Sequence, residues 1–284
     1  MAFWLGQTLN GLSFGALLFL MASGLSLIFG LMRIVNIAHG SYYLLGAYIG
    51  LTVVRRTGHF GLALLAAIVA LALIGAVMQR LFLARFYRQE QAQVLLTMGF
   101  SFAFADLALW LWGGDPQRLA TPAPLARAVT LGPAFFPAYR LAVLLVGAAV
   151  AVVIWLVLER TRLGAVVRAA VDDQEMARGL GINVAPILTG MFAFGAALAG
   201  FGGVMGAPFL GAYPGLDSDV LPLAFAVVII GGLGSLKGAL VGSMLVGVLD
   251  NFGKALFPEL SYFTLFVPMA VILALRPTGL FGRG

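Results

Sequence analysis

Between positions 36 and 41 the chain reads Asn-Ile-Ala-His-Gly-Ser, so Asn36, His39 and Ser41 set an amide, an imidazole and a hydroxyl around Gly40. Such a set can hydrogen-bond a polar solute, cap a helix through Ser41, or hold a ring that changes charge near neutral pH. His39 has two readings, an interfacial ring satisfied by backbone or a titrating gate, whereas His59 beside Gly58 reads as a loop residue. Asp106 stands inside the apolar stretch Val94–Gly113, where a carboxylate needs a partner or water. It either holds or guides a cationic group, or it is hydrated near the outer interface or bonded to a neighbouring helix. A glycine-rich break, Gly231-Gly232-Leu233-Gly234-Ser235-Leu236-Lys237-Gly238, interrupts another apolar run. Interrupted helices expose ends that bind charged groups; the alternative is a tight inner turn with Lys237 among lipid headgroups.

A fourth stretch, 159–187, gathers Glu159, Arg160, Arg162, Arg168, Asp172, Asp173, Glu175 and Arg178 in a chain that is otherwise nearly uncharged. Leu163, Val166, Val167, Ala170, Ala177 and Leu180 recur at steps of three and four, which predicts one amphipathic helix over 163–180. Arg168 with Asp172, and Glu175 with Arg178, are spaced to form a charge ladder on its other face. Gly179 and Gly181 stop the helix, and Asn183 to Pro186 lead back to the apolar run at Ile187. The helix either lies on headgroups or docks a cytoplasmic partner through Arg168, Asp172, Asp173, Glu175, Ala177, Arg178 and Gly181.

Other chemistry is excluded by composition. Cysteine is absent and there are two histidines, so no thiolate, metal or acid–base constellation forms; catalytic and metal-ligating residues are expected to be none. No phosphate-binding G-x-x-x-x-G-K-[ST] loop occurs, since Gly253-Lys254-Ala255 lacks the upstream glycine. The net charge of +6 comes from basic residues set singly or in pairs between apolar runs, a pattern of bilayer orientation rather than nucleic-acid binding.

Positioning these residues falls to elements solvated by lipid. Of 284 residues 62% are apolar and 10% charged, with mean hydropathy +1.04, against the roughly 25% charge of soluble domains. A span takes about 20 apolar residues, and Trp4–Gly30, Phe60–Leu83, Val94–Gly113, Leu141–Leu158 and Leu188–Gly206 qualify. Ser41–Val54, Val220–Leu249 and Tyr262–Leu275 are shorter or interrupted. The expectation is an all-α, polytopic helical bundle of eight or nine spans, some short or broken. The first run, unbroken to Met32 and without a basic head, reads as a retained span rather than a cleaved signal. With 159–187 inside, that side also receives Arg33, Arg80, Arg85, Arg88, Lys237, Arg276 and Arg283, and the outside Arg55, Arg56, Arg118, Arg127, Arg140 and Lys254. Nine spans then put the N-terminus outside and the C-terminus inside. The outer loop 114–139 carries Pro116, Pro122, Pro124, Pro133 and Pro137, which forbid a long helix. Asp250 and Asn251 read as caps ending an apolar run, and Gly195, Gly200, Gly202, Gly203 and Gly206 as close helix contacts. Residues 1–284 read as a single transmembrane domain with a cytoplasmic segment at 159–187. Asn36, His39, Asp106, Gly231, Gly232, Gly234 and Ser235 are the candidate lining of a path through it.

Glu175-Met176-Ala177-Arg178-Gly179-Leu180-Gly181 resembles the E-A-A-x-x-x-G pattern of ATP-binding cassette importer permeases, with Met176 in place of the first alanine. Val35-Asn36-Ile37-Ala38-His39-Gly40, Gly179-Leu180-Gly181-Ile182-Asn183-Val184, the Gly231–Ala239 break and Arg276-Pro277-Thr278-Gly279-Leu280-Phe281-Gly282 follow in order. Together they resemble the LivH-type branched-chain amino acid permease family over essentially the whole length; Lys237 stands where that family more often has a small residue or proline. The resemblance implies a multi-pass permease of the inner or plasma membrane whose 163–180 segment is a coupling helix. It implies two ATPase subunits that bind the ATP, a homologous second permease and an extracytoplasmic substrate-binding protein, with no cofactor in this chain. The implied cargo is leucine, isoleucine or valine. A permease for urea, short amides or another small polar solute is the near alternative, and a stand-alone secondary transporter or channel the distant one. An enzyme is not expected.

Overall fold

The computed structural model describes residues 2–32, 35–86, 89–131 and 134–282; Arg33, Arg88, Pro133 and Arg283 lie outside the described residues. Its long elements are helices, because a chain in lipid has no water to satisfy backbone N–H and C=O groups and must satisfy them within each segment. In order they are α1 (Ala2–Met32), α2 (His39–Thr57), α3 (Phe60–Val77), α4 (Glu90–Trp112), α5 (Ala138–Arg160), α6 (Arg162–Asp172), α7 (Gln174–Gly179), α8 (Val184–Leu210), α9 (Leu216–Gly231), α10 (Leu236–Leu256) and α11 (Ser261–Leu275). Helix α3 runs on through a π turn, Met78–Phe82, and a 3-10 turn, Leu83–Phe86.

Six described helices are long and apolar enough to cross a bilayer: α1, α3 with its extension, α4, α5, α8 and α10. That is fewer than the eight or nine spans expected. Helices α9 and α11 have only 16 and 15 residues, and α2, with 19, carries Ser41, Tyr42, Tyr43, Tyr48 and a terminal Arg55-Arg56 pair. The glycine-rich break falls in the turn between α9 and α10.

Helix α1 is the hub, buried along most of its length. Gly11 and Gly15 meet the α10 backbone at Gly247–Val248 and Ser243–Met244, so the two helices run antiparallel. A methyl group at Gly24 would stand 2.6 Å from the Gly195 carbonyl of α8, and Gly46 of α2 is pressed on Gly200 in the same way. Small residues thus allow backbones to approach where lipid supplies no hydrophobic drive between helices. Tyr42, Tyr43, Tyr48, Phe19 and Phe192 fill the space between. By contrast α3, α4 and α5 leave Leu73, Leu95, Trp110 and Leu145 exposed, as a lipid-facing rim does.

The proline-rich outer loop forms no long helix, as expected. It holds a 3-10 turn, Ala123–Leu125, and a hairpin of β1 (Ala128–Leu131) and β2 (Ala134–Pro137) with Ala128 opposite Pro137. This hairpin and an isolated antiparallel bridge between Gln117 and Ala212 are the departures from all-α among the described residues. Asp250 and Asn251 do not end a helix, since α10 continues to Leu256. Asp250 instead accepts from Lys254 Nζ at 2.8 Å one turn on, and Asn251 Nδ2 donates to the Gln7 carbonyl at 2.9 Å, tying α10 to α1.

Candidate functional site

The charged segment folds as two short helices, not one over 163–180. The chain stops at Asp173, whose backbone is extended, and Asp173 Oδ1 accepts from Glu175 N–H and Met176 N–H at 2.9 Å each. An aspartate at that position satisfies the orphan donors of a new first turn and so favours a restart over continuation. Thr161 caps α6 likewise, accepting from Gly164 N–H at 3.1 Å. Gly181 ends the pair with φ +83°, and Ile182 N–H bonds the Ala177 carbonyl at 3.0 Å. The restart rotates the faces. Val167, Ala170 and Ala177 are buried with Val184, Leu188 and Ile154, but Leu163 and Leu180, expected on the buried side, are exposed, Leu180 at 74%. Met176, at 61%, joins them. Arg168 pairs with Glu159 at 3.7 Å rather than only along its own helix. Asp172, Asp173, Glu175, Arg178 and Gly181 are exposed, Arg168 is half-buried and Ala177 is buried. Replacing Asp173 with alanine should cost the α7 cap about 1 kcal/mol. Hydrogen exchange over 174–179 should quicken while the global melting temperature stays put.

A second assembly lies within the membrane thickness. His39 Nε2 is 3.0 Å from the Met21 carbonyl, and Met21 precedes the end of α1 at Met32 by about 16 Å at 1.5 Å per residue. Ser41 Oγ lies 3.1 Å from Ser101 Oγ at the middle of α4 and donates to Asp217 Oδ2 at 3.2 Å. Helix α2 therefore begins deep in the bilayer, and α9 begins at the same depth beside it. Gly40 permits the meeting, since a methyl group there would stand 2.5 Å from the Asp217 carbonyl. Both helices are short because they start part-way across. Ser41 is not an N-cap, because the helix already starts at His39.

Asn36, His39 and Ser41 are all fully buried. The Asn36 amide forms no hydrogen bond at either atom, and His39 Nδ1 forms none. The Tyr42 hydroxyl lies toward Asn36, but its hydrogen bond goes to Met78 Sδ at 2.7 Å. Leaving a buried polar group unpaired costs about 1–3 kcal/mol, so these atoms call for a partner, the nearby Tyr42 hydroxyl or a water, beyond the bonds described above. Asp106 is not part of it. It lies exposed on α4, short of the outer end at Trp112.

Gly231, Gly232, Gly234 and Ser235 lie at the inner end, away from the node. Gly232 and Gly234 take φ +103° and +76°, Ser235 caps α10 by accepting from Gly238 N–H at 3.0 Å, and Gly234 packs on Gly30 of α1. The terminal motif straps this turn, with Leu280 N–H and Phe281 N–H donating at 2.9 Å to the Ile230 and Gly231 carbonyls, the orphan acceptors at the end of α9.

Sequence reasoning missed Asp217, Ser101 and Thr97, whose Oγ1 accepts from Ile37 N–H at 3.3 Å. Tyr-Pro-Gly-Leu-Asp-Ser-Asp at 213–219 is a helix-start signal, but it precedes the apolar run and reads as a loop. Ser101 and Thr97 give no signal at all inside α4.

A family profile described as the permease component of the branched-chain amino acid transport system matches residues 7–275. The chain is 28% identical to the high-affinity branched-chain amino acid transport system permease protein BraD of Pseudomonas aeruginosa, over 99% of this chain and 96% of that one. It is 25% identical to the corresponding LivH protein of Salmonella typhimurium, over 99% and 96%. With the probable branched-chain amino acid transport permease protein LivH of Methanocaldococcus jannaschii it shares 25% identity over 94% and 89%. No solved structure gives a significant match.

Proposed function

The chain belongs to the family of branched-chain amino acid transport permeases, a family of multi-pass membrane proteins, and on that premise we propose that it is the permease subunit of an ATP-driven importer of leucine, isoleucine and valine. The observation that carries this reading is the match over residues 7–275 together with relatives covered almost end to end. A permease component is not an enzyme, and its energy comes from partner ATPases. Residues 1–284 act as one permease unit whose 159–187 segment is the coupling element. Two ATPase subunits bind the ATP and grip α6 and α7, a second, homologous permease completes the path, and an extracytoplasmic binding protein delivers cargo from outside.

The grip has a physical basis in side chains that the described residues leave mostly exposed. Met176 and Leu180 project apolar surface beside Asp172, Asp173, Glu175 and Arg178, a mixture that suits a protein groove better than lipid headgroups alone. Movement of α7 reaches the spans through Ala177, buried on Val184 and Leu188 at the start of α8. Helix α8 in turn packs on α2 through Gly46 and Gly200, so its tilt bears on the node where α2 and α9 begin. There the Asn36 amide and His39 Nδ1 gain partners when a zwitterion or its water passes, while Asp106, outside that node and exposed on α4, faces the second permease.

Flux measurement tests the reading. Liposomes holding this chain alone should take up no labelled leucine. Uptake should appear only when ATPases, second permease and binding protein are added with ATP inside. Gradient-driven leucine uptake by the lone chain overturns the reading.

A further inference from the structure

On the cytoplasmic side a cavity of about 650 Å³ opens between the inner ends of α1 and α5, helix α6, and the α9–α10 turn. Its size falls among ligand pockets, about 300–1,000 Å³. It lies apart from the node at Asn36, and it shares Arg168 and Asp172 with the expected docking set. Its lining combines three chemistries. Cationic groups come from Arg168 and Lys237. Arg168 Nη1 is buried and makes no hydrogen bond, having only the 3.7 Å approach to Glu159. Lys237 is exposed and has neither a hydrogen bond nor an ion pair among the described residues. Acidic groups come from Glu159, half-exposed at its side chain, and Asp172. The wall between is apolar, with Leu27 and Trp155 among its members.

Balanced charge excludes a phosphate or nucleotide, which the two carboxylates would repel, and four charged groups exclude a purely apolar ligand. What fits is a small zwitterion with an aliphatic side chain. The geometry points to a cytoplasmic site for a free branched-chain amino acid, whose occupancy joins α6 to the α9–α10 turn and slows further import. This rests on the importer reading above. The carboxylate takes the unbonded Arg168 Nη1 and Lys237 Nζ, as paired cations do for carboxylates. The ammonium takes Glu159 or Asp172, and the side chain lies on Leu27 and Trp155. Because α6 is one wall and the turn is the other, a ligand that bridges them favours one arrangement and opposes any motion that separates them. Product would then restrain its own entry.

A phosphatidylethanolamine headgroup carries the same two charges, so the test separates the two sources. The complete importer is placed in phosphatidylglycerol–phosphatidylcholine vesicles with ATP inside and binding protein and labelled leucine outside. Uptake into leucine-free vesicles tests the importer reading itself, and its absence removes both that reading and this site. With uptake established, preloading 5 mM leucine should lower the initial rate about fivefold, and preloaded glycine, lacking the aliphatic chain, should not. Lys237→Gln should leave uptake into empty vesicles unchanged and raise the leucine needed for half-inhibition about tenfold, the loss of one charge-assisted bond. In detergent, the leucine-dependent change in emission that is lost in Trp155→Phe, read in the complete importer without binding protein, should need about tenfold more leucine in Lys237→Gln. No slowing by preloaded leucine overturns the proposal, whether the cavity is covered by an ATPase or merely unfilled. Slowing by added phosphatidylethanolamine in place of leucine assigns the site to lipid and overturns it as well.

Discussion

A chain carrying Met176→Asp and Leu180→Asp inserts normally, keeps its melting temperature, and loses co-purifying ATPase by on the order of a hundredfold in affinity. Both side chains are mostly exposed, at 61% and 74%, so their replacement removes almost nothing that holds the chain together. Each side chain, once covered by a partner, contributes about 1.5–3 kcal/mol through burial of apolar surface. A carboxylate in its place would also be desolvated. Two such losses exceed what a rim contact supplies. Co-purification at varied ATPase concentration reads the effect, and unaltered affinity removes the α7 surface from the dock.

Asn36→Leu raises stability and lowers transport together. Leucine keeps the branching and the four side-chain heavy atoms with bulkier methyl ends, and exchanging the buried amide for it removes a desolvation penalty, worth about 1–2 kcal/mol once the tighter fit is counted. That corresponds to a rise in melting temperature of about 2–8 °C for a chain of this size. Uptake of leucine by the complete importer should meanwhile fall about tenfold or more, because the amide is retained for a partner that arrives only during transport. Thermal unfolding in detergent and uptake in vesicles are measured on the same preparation. If both rise or neither changes, Asn36 is structural.

Much of the fold is legible because lipid imposes one pattern. Twenty apolar residues must be a helix, and α1, α3, α4, α5 and α8 follow from that rule with ends moved by a few residues. The rule fails for α2 and α9, which begin mid-bilayer; their starts are set by neighbours such as Met21, Ser101 and Gly40, and these contacts leave no periodicity in sequence. The charged segment 159–187 is legible in place and composition but not in shape. Summing apolar steps across Asp173 makes one helix of two, because a cap aspartate next to Asp172 looks like another rung of the charge ladder. That error turned Leu180 inward. The glycines of α8 read correctly as packing residues, while their partners, Gly24 and Gly46, emerge only from the folded chain. The terminal Arg-Pro-Thr-Gly-Leu-Phe-Gly stretch, read only as a resemblance, does not disclose its work as the strap on the α9–α10 turn.

The most direct measurement places a photo-crosslinking residue at Leu180 in the complete importer while ATP-driven uptake runs. Capture of an ATPase subunit is the predicted result. Capture of phospholipid alone, with uptake undiminished, contradicts the account.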